Sequence, residues 1–368
     1  MSIYVTKPSL PPEGEFIDFV QEIFRTGILT NMGPFHEQFT EAVRNRLDVP
    51  ELVLFTNGHT ALEAAIQGLN LTGEVITSPY TFASTTHAIV RSGLIPVFCD
   101  IEPKTCCIDP TKIEELITNR TSAIIPIHVY GIPCNVEAIG DIARRHGLKV
   151  IYDAAHAFGI SHKGIGIGNF GDASMFSFHA TKVFNSIEGG AVAFSNPELG
   201  GRLRRLRNFG MDASPNTTMV GGNAKMDEFR AAMGLCNLRH FDEEVRRRSL
   251  VSARYDSNLD GIPGLRILRQ PESSTPNFAY YPVFFDEEVF GSNRDKVKSV
   301  LAEHDFYART YFYPPTNDFK CYEDQFDPMC TPVARQMSQM VLTLPLYAAL
   351  NMSDVDKVSE IVKGLYGG

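Results

Sequence analysis

From Leu52 to Gly159 the chain alternates short β-rich runs with helical ones, and few architectures absorb that rhythm. "LVLFTNG" reads as a strand ending in a turn, followed by the helix-patterned "HTALEAAIQGL". "EVITSPYTF" is followed by "ASTTHAIVRSG", and "IPVFCDI" by "DPTKIEELIT". "TSAIIPIHVYG" precedes "NVEAIGDIARRHG", and "KVIYDAAHAFG" closes the series. Apolar residues at helical spacing mark one kind of segment, and short apolar β-branched runs mark the other. The alternation predicts an α/β layer with a mostly parallel sheet. Ligands of such sheets gather beyond the carboxyl ends of the strands. The polar turns "TNGHT", "SPYTF", "DAAHA" and "HATK" are therefore where chemistry is to be sought.

Two helical patterns, "GEFIDFVQEIFRTGIL" and "PFHEQFTEAVRNRL", come before this series. After Phe194 the character changes. "PELGGRLRRLRNFG" is a basic amphipathic helix, and "AKMDEFRAAMGLCNLRHFDEEVRRRSLVSARYDSNL" predicts one long helix with a charged face. The remainder mixes the strand "NFAYYPVFF" with the helices "DKVKSVLAEHD" and "MSDVDKVSEIVKGLY". A chain of 368 residues exceeds what one core usually serves. The expected division is a large α/β domain over 1–240, with an N-terminal arm, and a smaller α+β domain over 241–368.

One run, "SMFSFHATKVFNSIEGGAVAF", delivers Lys182 from an apolar strand into a polar turn. Taken alone, Lys182 is what any solvated loop lysine looks like. Three neighbours change its meaning. Asp153 ends the strand "KVIYD" and is followed by small residues, so its carboxylate lies low at a strand end. Ser177 lies one strand earlier than the lysine turn. Asn57-Gly58-His59-Thr60 joins a strand to a helix and offers N–H groups to an anion. An anion cradle, a shielded carboxylate and a lysine leaving an apolar strand together suggest pyridoxal 5′-phosphate (PLP). Partial desolvation of the lysine would favour the free amine that attacks an aldehyde.

Other chemistries find less support. "GIGNFG" satisfies GxGxxG through Gly166, Gly168 and Gly171, yet polar "SHKGI" precedes it and the strand-like "SMFSF" follows. A dinucleotide fingerprint needs a strand before and a helix after, so a surface turn is the reading. Seven cysteines form no CxxC pair and are read as reduced thiols. There is no HExxH, and no metal site is expected. The net charge of −9 argues against a nucleic-acid surface. No apolar run reaches the roughly 20 residues of a membrane helix. "MSIYVTKPSLPPEGEF" turns polar and proline-rich at once, unlike a secretory leader, and a cytoplasmic protein is expected.

With these residues in place the chain resembles the DegT/DnrJ/EryC1/StrS family of sugar aminotransferases. The likeness runs through "TNGHTALEAAI", "SPYTFAST", "GLIPVFCDIEPKTCCIDP", "TSAIIPIHVYG", "VIYDAAHAFG", "GDASMFSFHATKVFNSIEGGAVAF", "LRNFG" and "GNAKMDEFRAA". It implies the type I, aspartate-aminotransferase-like PLP fold. It makes Lys182 the Schiff-base lysine and proton shuttle, Asp153 the partner of the pyridinium nitrogen, and His156 a neighbour of the ring hydroxyl. Phe82 would stack on the ring. Gly58, His59 through its N–H, Thr60 and Ser177 would form the phosphate cup. Asn223 would reach the cofactor of a neighbouring subunit, which implies a homodimer with shared active sites. Three positions depart from the family: His59 stands where a small residue is usual, Tyr152 replaces an acid before Asp153, and "NxRM" becomes Asn223-Ala224-Lys225-Met226.

The resemblance further implies transfer of an amino group from L-glutamate, through pyridoxamine phosphate, to a keto group of a nucleotide sugar. Family dehydratases carry histidine at the lysine position, so Lys182 argues against dehydration. Members that aminate C4 tend to read "FSFHxTK…EGG", as here, and the likeness is greatest to dTDP-4-amino-4,6-dideoxyglucose transaminases. A 4-keto-6-deoxyhexose on dTDP or UDP is therefore the expected substrate. Its product would be a 4-amino-4,6-dideoxy sugar for O-antigen or another surface polysaccharide. The alternatives are a C3 aminotransferase and a non-catalytic PLP- or nucleotide-sugar-binding regulator on the same fold. His179, Lys225, Arg309 and Tyr311 are the candidates for the sugar pocket.

Overall fold

A computed structural model describes residues 2–212 and 216–368. A two-residue strand, β1 (Ile3–Tyr4), precedes helices α1 (Glu13–Thr26) and α2 (Pro34–Leu47). The alternating series follows as β2 (Glu51–Phe55), α3 (Gly58–Gly68), β3 (Glu74–Thr77), α4 (Ala83–Arg91) and β4 (Ile95–Phe98). It continues with β5 (Thr121–Ile125), α5 (Val136–His146) and β6 (Lys149–Asp153). A small hairpin, β7 (Ser161–His162) and β8 (Ile165–Gly166), leads to β9 (Ala173–Ser177) and β10 (Gly190–Phe194).

Seven strands form one sheet in the order β2-β10-β9-β6-β5-β3-β4. β10 is antiparallel to both neighbours, and the other pairs are parallel. The expected mostly parallel sheet is thus present. Its strands are apolar on both faces because helices cover both. On β2, Leu52 and Leu54 enter one core while Val53 and Phe55 enter the other, as a period of two requires. "GIGNFG" is a 3-10 turn between β8 and β9, with no helix after it.

Two helical expectations need correction. "DPTKIEELIT" forms two separate 3-10 turns, Pro110–Lys112 and Glu114–Leu116. Only Pro110 and Ile113 are buried there, which is too little apolar surface to hold a longer helix down. α6 (Pro197–Leu206) follows the pattern, burying Leu199, Leu203 and Leu206. The single long helix is instead two, α7 (Glu228–Arg239) and α8 (Phe241–Leu259), broken at His240 with φ −105° and ψ 2°. The reason is tertiary. α7 lies so close to α2 that a Cβ on Gly234 would sit 2.4 Å from the Phe39 ring. Glu15 of α1 accepts from His240 Nε2 at 2.9 Å and from Arg239 at 3.3 Å, fastening the corner.

Beyond α8 come β11 (Leu265–Ile267), β12 (Ser274–Thr275), β13 (Tyr281–Phe285), α9 (Glu287–Phe290) and α10 (Arg294–Glu303). β14 (Phe306–Tyr307), α11 (Pro332–Met340), β15 (Val341–Leu344) and α12 (Met352–Gly364) complete the chain. β11, β13 and β15 make an antiparallel sheet. A third apolar core, from Val251 to Val362, lies under this sheet and its helices. β1 pairs in parallel with β14, so the first residues belong with this C-terminal part.

Candidate active site

The chain converges on the carboxyl end of β6. Asp153 is 4% exposed and accepts two hydrogen bonds, from Thr85 Oγ1 at 2.7 Å and from Ala155 N at 3.1 Å. Burial pushes its pKa up, while Thr85, Ala155 and the Lys182 charge pull the other way. A buried carboxylate so placed is stabilised as an anion by any cation set against it. Lys182 stands in the turn between β9 and β10, its N–H bonded to His179 O at 2.9 Å. Burial lowers its amine to about 8, against the opposing pull of Asp153 and Tyr311. At that value roughly a tenth is free base at pH 7, far more than for an ordinary lysine.

His156 is buried, and its Nδ1 has no hydrogen-bond partner. The ring stacks on Phe312 at 5.8 Å and meets the edge of Tyr280 at 5.0 Å. Burial, and then the Lys182 charge, holds its pKa well below the usual range, so the imidazole is neutral. A buried nitrogen without a partner is a place for a ligand's polar atom. Beside it a small cavity is lined by Ala155, Lys182, Phe184, Asn277 and Tyr280. Asn277 Nδ2 donates to His156 O at 2.9 Å and to Phe158 O at 3.0 Å, fixing the backbone around the imidazole.

The anion cradle opens α3. Asn57 caps the helix by accepting from Thr60 N at 2.9 Å, and Thr60 Oγ1 donates back to Asn57 O at 3.1 Å. The N–H groups of Gly58 and His59 have no acceptor within the helix and sit at its positive end. Two glycines keep the space open. A Cβ on Gly58 would lie 2.9 Å from Ser177 Cβ, and one on Gly190 would lie 2.6 Å from the Asn57 carbonyl. A phosphate at this cradle, a ring nitrogen at Asp153 and a ring hydroxyl at His156 Nδ1 match the polar ends of PLP.

The profile of the DegT/DnrJ/EryC1/StrS aminotransferase family matches residues 12–363. The chain belongs to that family. Its members depend on PLP, and this aminotransferase does too. A dTDP-4-amino-4,6-dideoxy-D-glucose transaminase of Shigella dysenteriae is 41% identical over 361 residues, covering 98% of each chain. The Escherichia coli protein of the same name is 39% identical over 368 residues, covering 99% of this chain and 98% of its own. Among solved structures, DesI in the presence of its TDP-sugar product matches with a TM-score of 0.94 at 35% identity. That match covers 98% of this chain and 92% of DesI.

The other expected residues fall at four places on this family framework. Phe82 is the N-cap of α4, three residues before Thr85, and its ring is 60% exposed at the strand ends. His179 is exposed; its Nδ1 accepts from Thr181 N at 3.2 Å, and its Nε2 is 3.5 Å from Glu188. The C-terminal part supplies Arg309 and Tyr311, and the Tyr311 ring meets the edge of Tyr280, which lines the cavity beside Lys182. Arg309 donates to the Tyr311 hydroxyl, and the Tyr311 carbonyl accepts from Tyr130. Asn223 and Lys225 lie in the loop after α6, where the carbonyl of Ala224 between them accepts from Thr56 N at 2.9 Å, just before the anion cradle. Asn223 is exposed, and Lys225 Nζ donates to Asn208 Oδ1 at 2.8 Å. Thr85, Tyr130, Asn277 and Tyr280 were not expected. The only signal for Thr85 was its hydroxyl one turn into the helix that follows "SPYTF".

Proposed function

We propose that the enzyme moves the amino group of L-glutamate to the C4 ketone of dTDP-4-dehydro-6-deoxyglucose, yielding a 4-amino-4,6-dideoxy sugar for surface polysaccharide. The observation that carries this reading is full-length similarity to two proteins named for that product. When bound, PLP supplies an aldehyde that bonds amines and a protonated ring that takes up electron density. Lys182 Nζ would be the amine that holds the aldehyde and the base that carries protons at the reacting carbons. Asp153 keeps the ring nitrogen protonated, and the Thr85 hydroxyl orients the carboxylate for that task. The unpartnered His156 Nδ1 would hold the ring hydroxyl, and Phe82 would stack on the ring.

The Gly58 and His59 N–H groups and the Ser177 hydroxyl receive the phosphate. Thr60 serves the cup by anchoring Asn57, because both its donors are directed there. Arg309 and Tyr311 border the sugar on the side of the C-terminal part, and His179 borders it at the lysine turn. Two copies form the working unit, Asn223 and Lys225 reaching the partner's site. The setting is the cytoplasm, and among the described residues no helix is long and apolar enough to cross a membrane.

Incubating the pure protein with glutamate and dTDP-4-dehydro-6-deoxyglucose tests the reading. Nuclear magnetic resonance of the product should place nitrogen at C4; nitrogen at C3, or no amino sugar, would refute it. Borohydride reduction of the resting enzyme should leave a pyridoxyl group on the peptide carrying Lys182.

A further inference from the structure

The phosphate cup and the carboxylate clamp are built on different helices. Gly58 and His59 open α3, whereas Phe82 caps α4 and Thr85 sits in its first turn. A cofactor spanning both needs the two helix starts at a spacing that suits its length. His59 Nδ1 lies 2.9 Å from Ser84 Oγ, in the first turn of α4. Its Nε2 lies 3.3 Å from Glu63 Oε1, one turn further along α3. Glu63 in turn accepts from Arg91 Nε at 2.6 Å, in the last turn of α4. A carboxylate faces a donor, so Nε2 carries the proton and Nδ1 accepts from the Ser84 hydroxyl. Both ends of α4 are thereby fastened to the first two turns of α3, with one imidazole at the centre. The cup itself asks only for the His59 N–H, which any residue but proline supplies.

We propose that the His59 imidazole is a positioning residue for the cofactor, setting the spacing between the phosphate cup and the Phe82–Thr85–Asp153 clamp and so governing how long PLP is retained. This rests on the site assignment made above. Loss of the tie lets the two helix starts drift, and a two-ended ligand feels that drift more than either helix does.

The test compares PLP release from wild-type, His59→Ala, His59→Asn, Ser84→Ala and the double His59→Ala, Ser84→Ala holoenzymes in cofactor-free buffer, followed by absorbance, with melts of the cofactor-free proteins alongside. Asparagine places an amide oxygen where Nδ1 stands and keeps the bond from Ser84. Release should be about 3- to 10-fold faster for His59→Ala. It should be equally fast for Ser84→Ala, no faster for the double variant, and near wild type for His59→Asn. The cofactor-free melts should coincide. Unchanged release from His59→Ala, additive losses, or a His59→Asn variant as leaky as His59→Ala would overturn the proposal. So would a cofactor-free melt that falls in step with release, because it would mark a general stabilising role. A wild-type protein that never holds PLP would refute the site assignment instead, so the two failures are distinguishable.

Discussion

Lys182 pays for its reactivity in stability. Its amine is lowered to about 8 in the folded chain, whereas an unfolded chain keeps it near the ordinary 10.4. Between those values the unfolded state holds a proton that the folded state lacks, so the cofactor-free protein gains stability as pH rises through that window. Below pH 8 the cost is present in full. Lys182→Met removes it, and the cofactor-free variant should be more stable than wild type at pH 7 by about 1–3 kcal/mol. That gain should vanish near pH 10.5. Urea midpoints of both proteins at the two pH values check this, and equal midpoints at pH 7 would show that the amine carries no burial cost. Lys182 and Asp153 were legible in the sequence because Asp153 ends an apolar strand and Lys182 lies in the polar turn after one. Thr85 was not, because its hydroxyl becomes a partner of Asp153 only once the sheet order sets α4 beside β6. Tyr130 is similar: its bond to the Tyr311 carbonyl joins residues 181 positions apart.

Elements were legible where apolar spacing alone decides them, as in β2, β6, β9 and α6. The corner at His240 was hidden because "LRHFDE" contains no breaker, and the helical period continues through it. Tertiary contacts hold the bend: Glu15 on His240 and Arg239, the close seat of α7 on Phe39, and Phe241 buried against Phe158 and Phe184. The meeting of α3 with β9 and β10 gives a sharper test of what an element boundary tolerates. At Gly58 an added Cβ would lie 2.9 Å from Ser177 Cβ and 3.2 Å from Ser177 Cα, which yield only if the end of β9 shifts, and Ser177 is the far wall of the cup. At Gly190 it presses on the Asn57 carbonyl and the Gly58 nitrogen, which are backbone and cannot give. Gly58→Ala should therefore fold but bind PLP at least about tenfold more weakly, because the strain lands on the cup. Gly190→Ala should lose about 2–4 kcal/mol of stability, a cost typical of overpacking against a rigid neighbour. PLP titration of the first protein and denaturant melts of both would reveal whether the strain is divided in this way.

At the scale of the whole molecule, the surface near the end of α1 bears on the proposed pairing of two copies. Phe24 is 77% exposed, Leu29 53% and Ile28 41%, while Ile23 faces inward at 1%. The α7 start is bonded to this region through Glu228 N and Leu29 O at 3.0 Å, only five residues beyond Asn223. An apolar patch beside the segment that bears Asn223 is what a second copy would cover if that asparagine is to reach the partner's phosphate cup. Charging the patch should separate the copies without touching Lys182 or Asp153. Phe24→Glu combined with Leu29→Glu is expected to give a monomer by light scattering, with its cofactor-free melt preserved because neither side chain enters the core. Turnover should fall more than about tenfold and PLP should leak faster, since under the proposed pairing each site then lacks its partner's asparagine. Raising the protein concentration should restore both in parallel, as mass action requires. A monomer with undiminished turnover would show that one chain holds a complete site. An intact dimer would move the interface to another face.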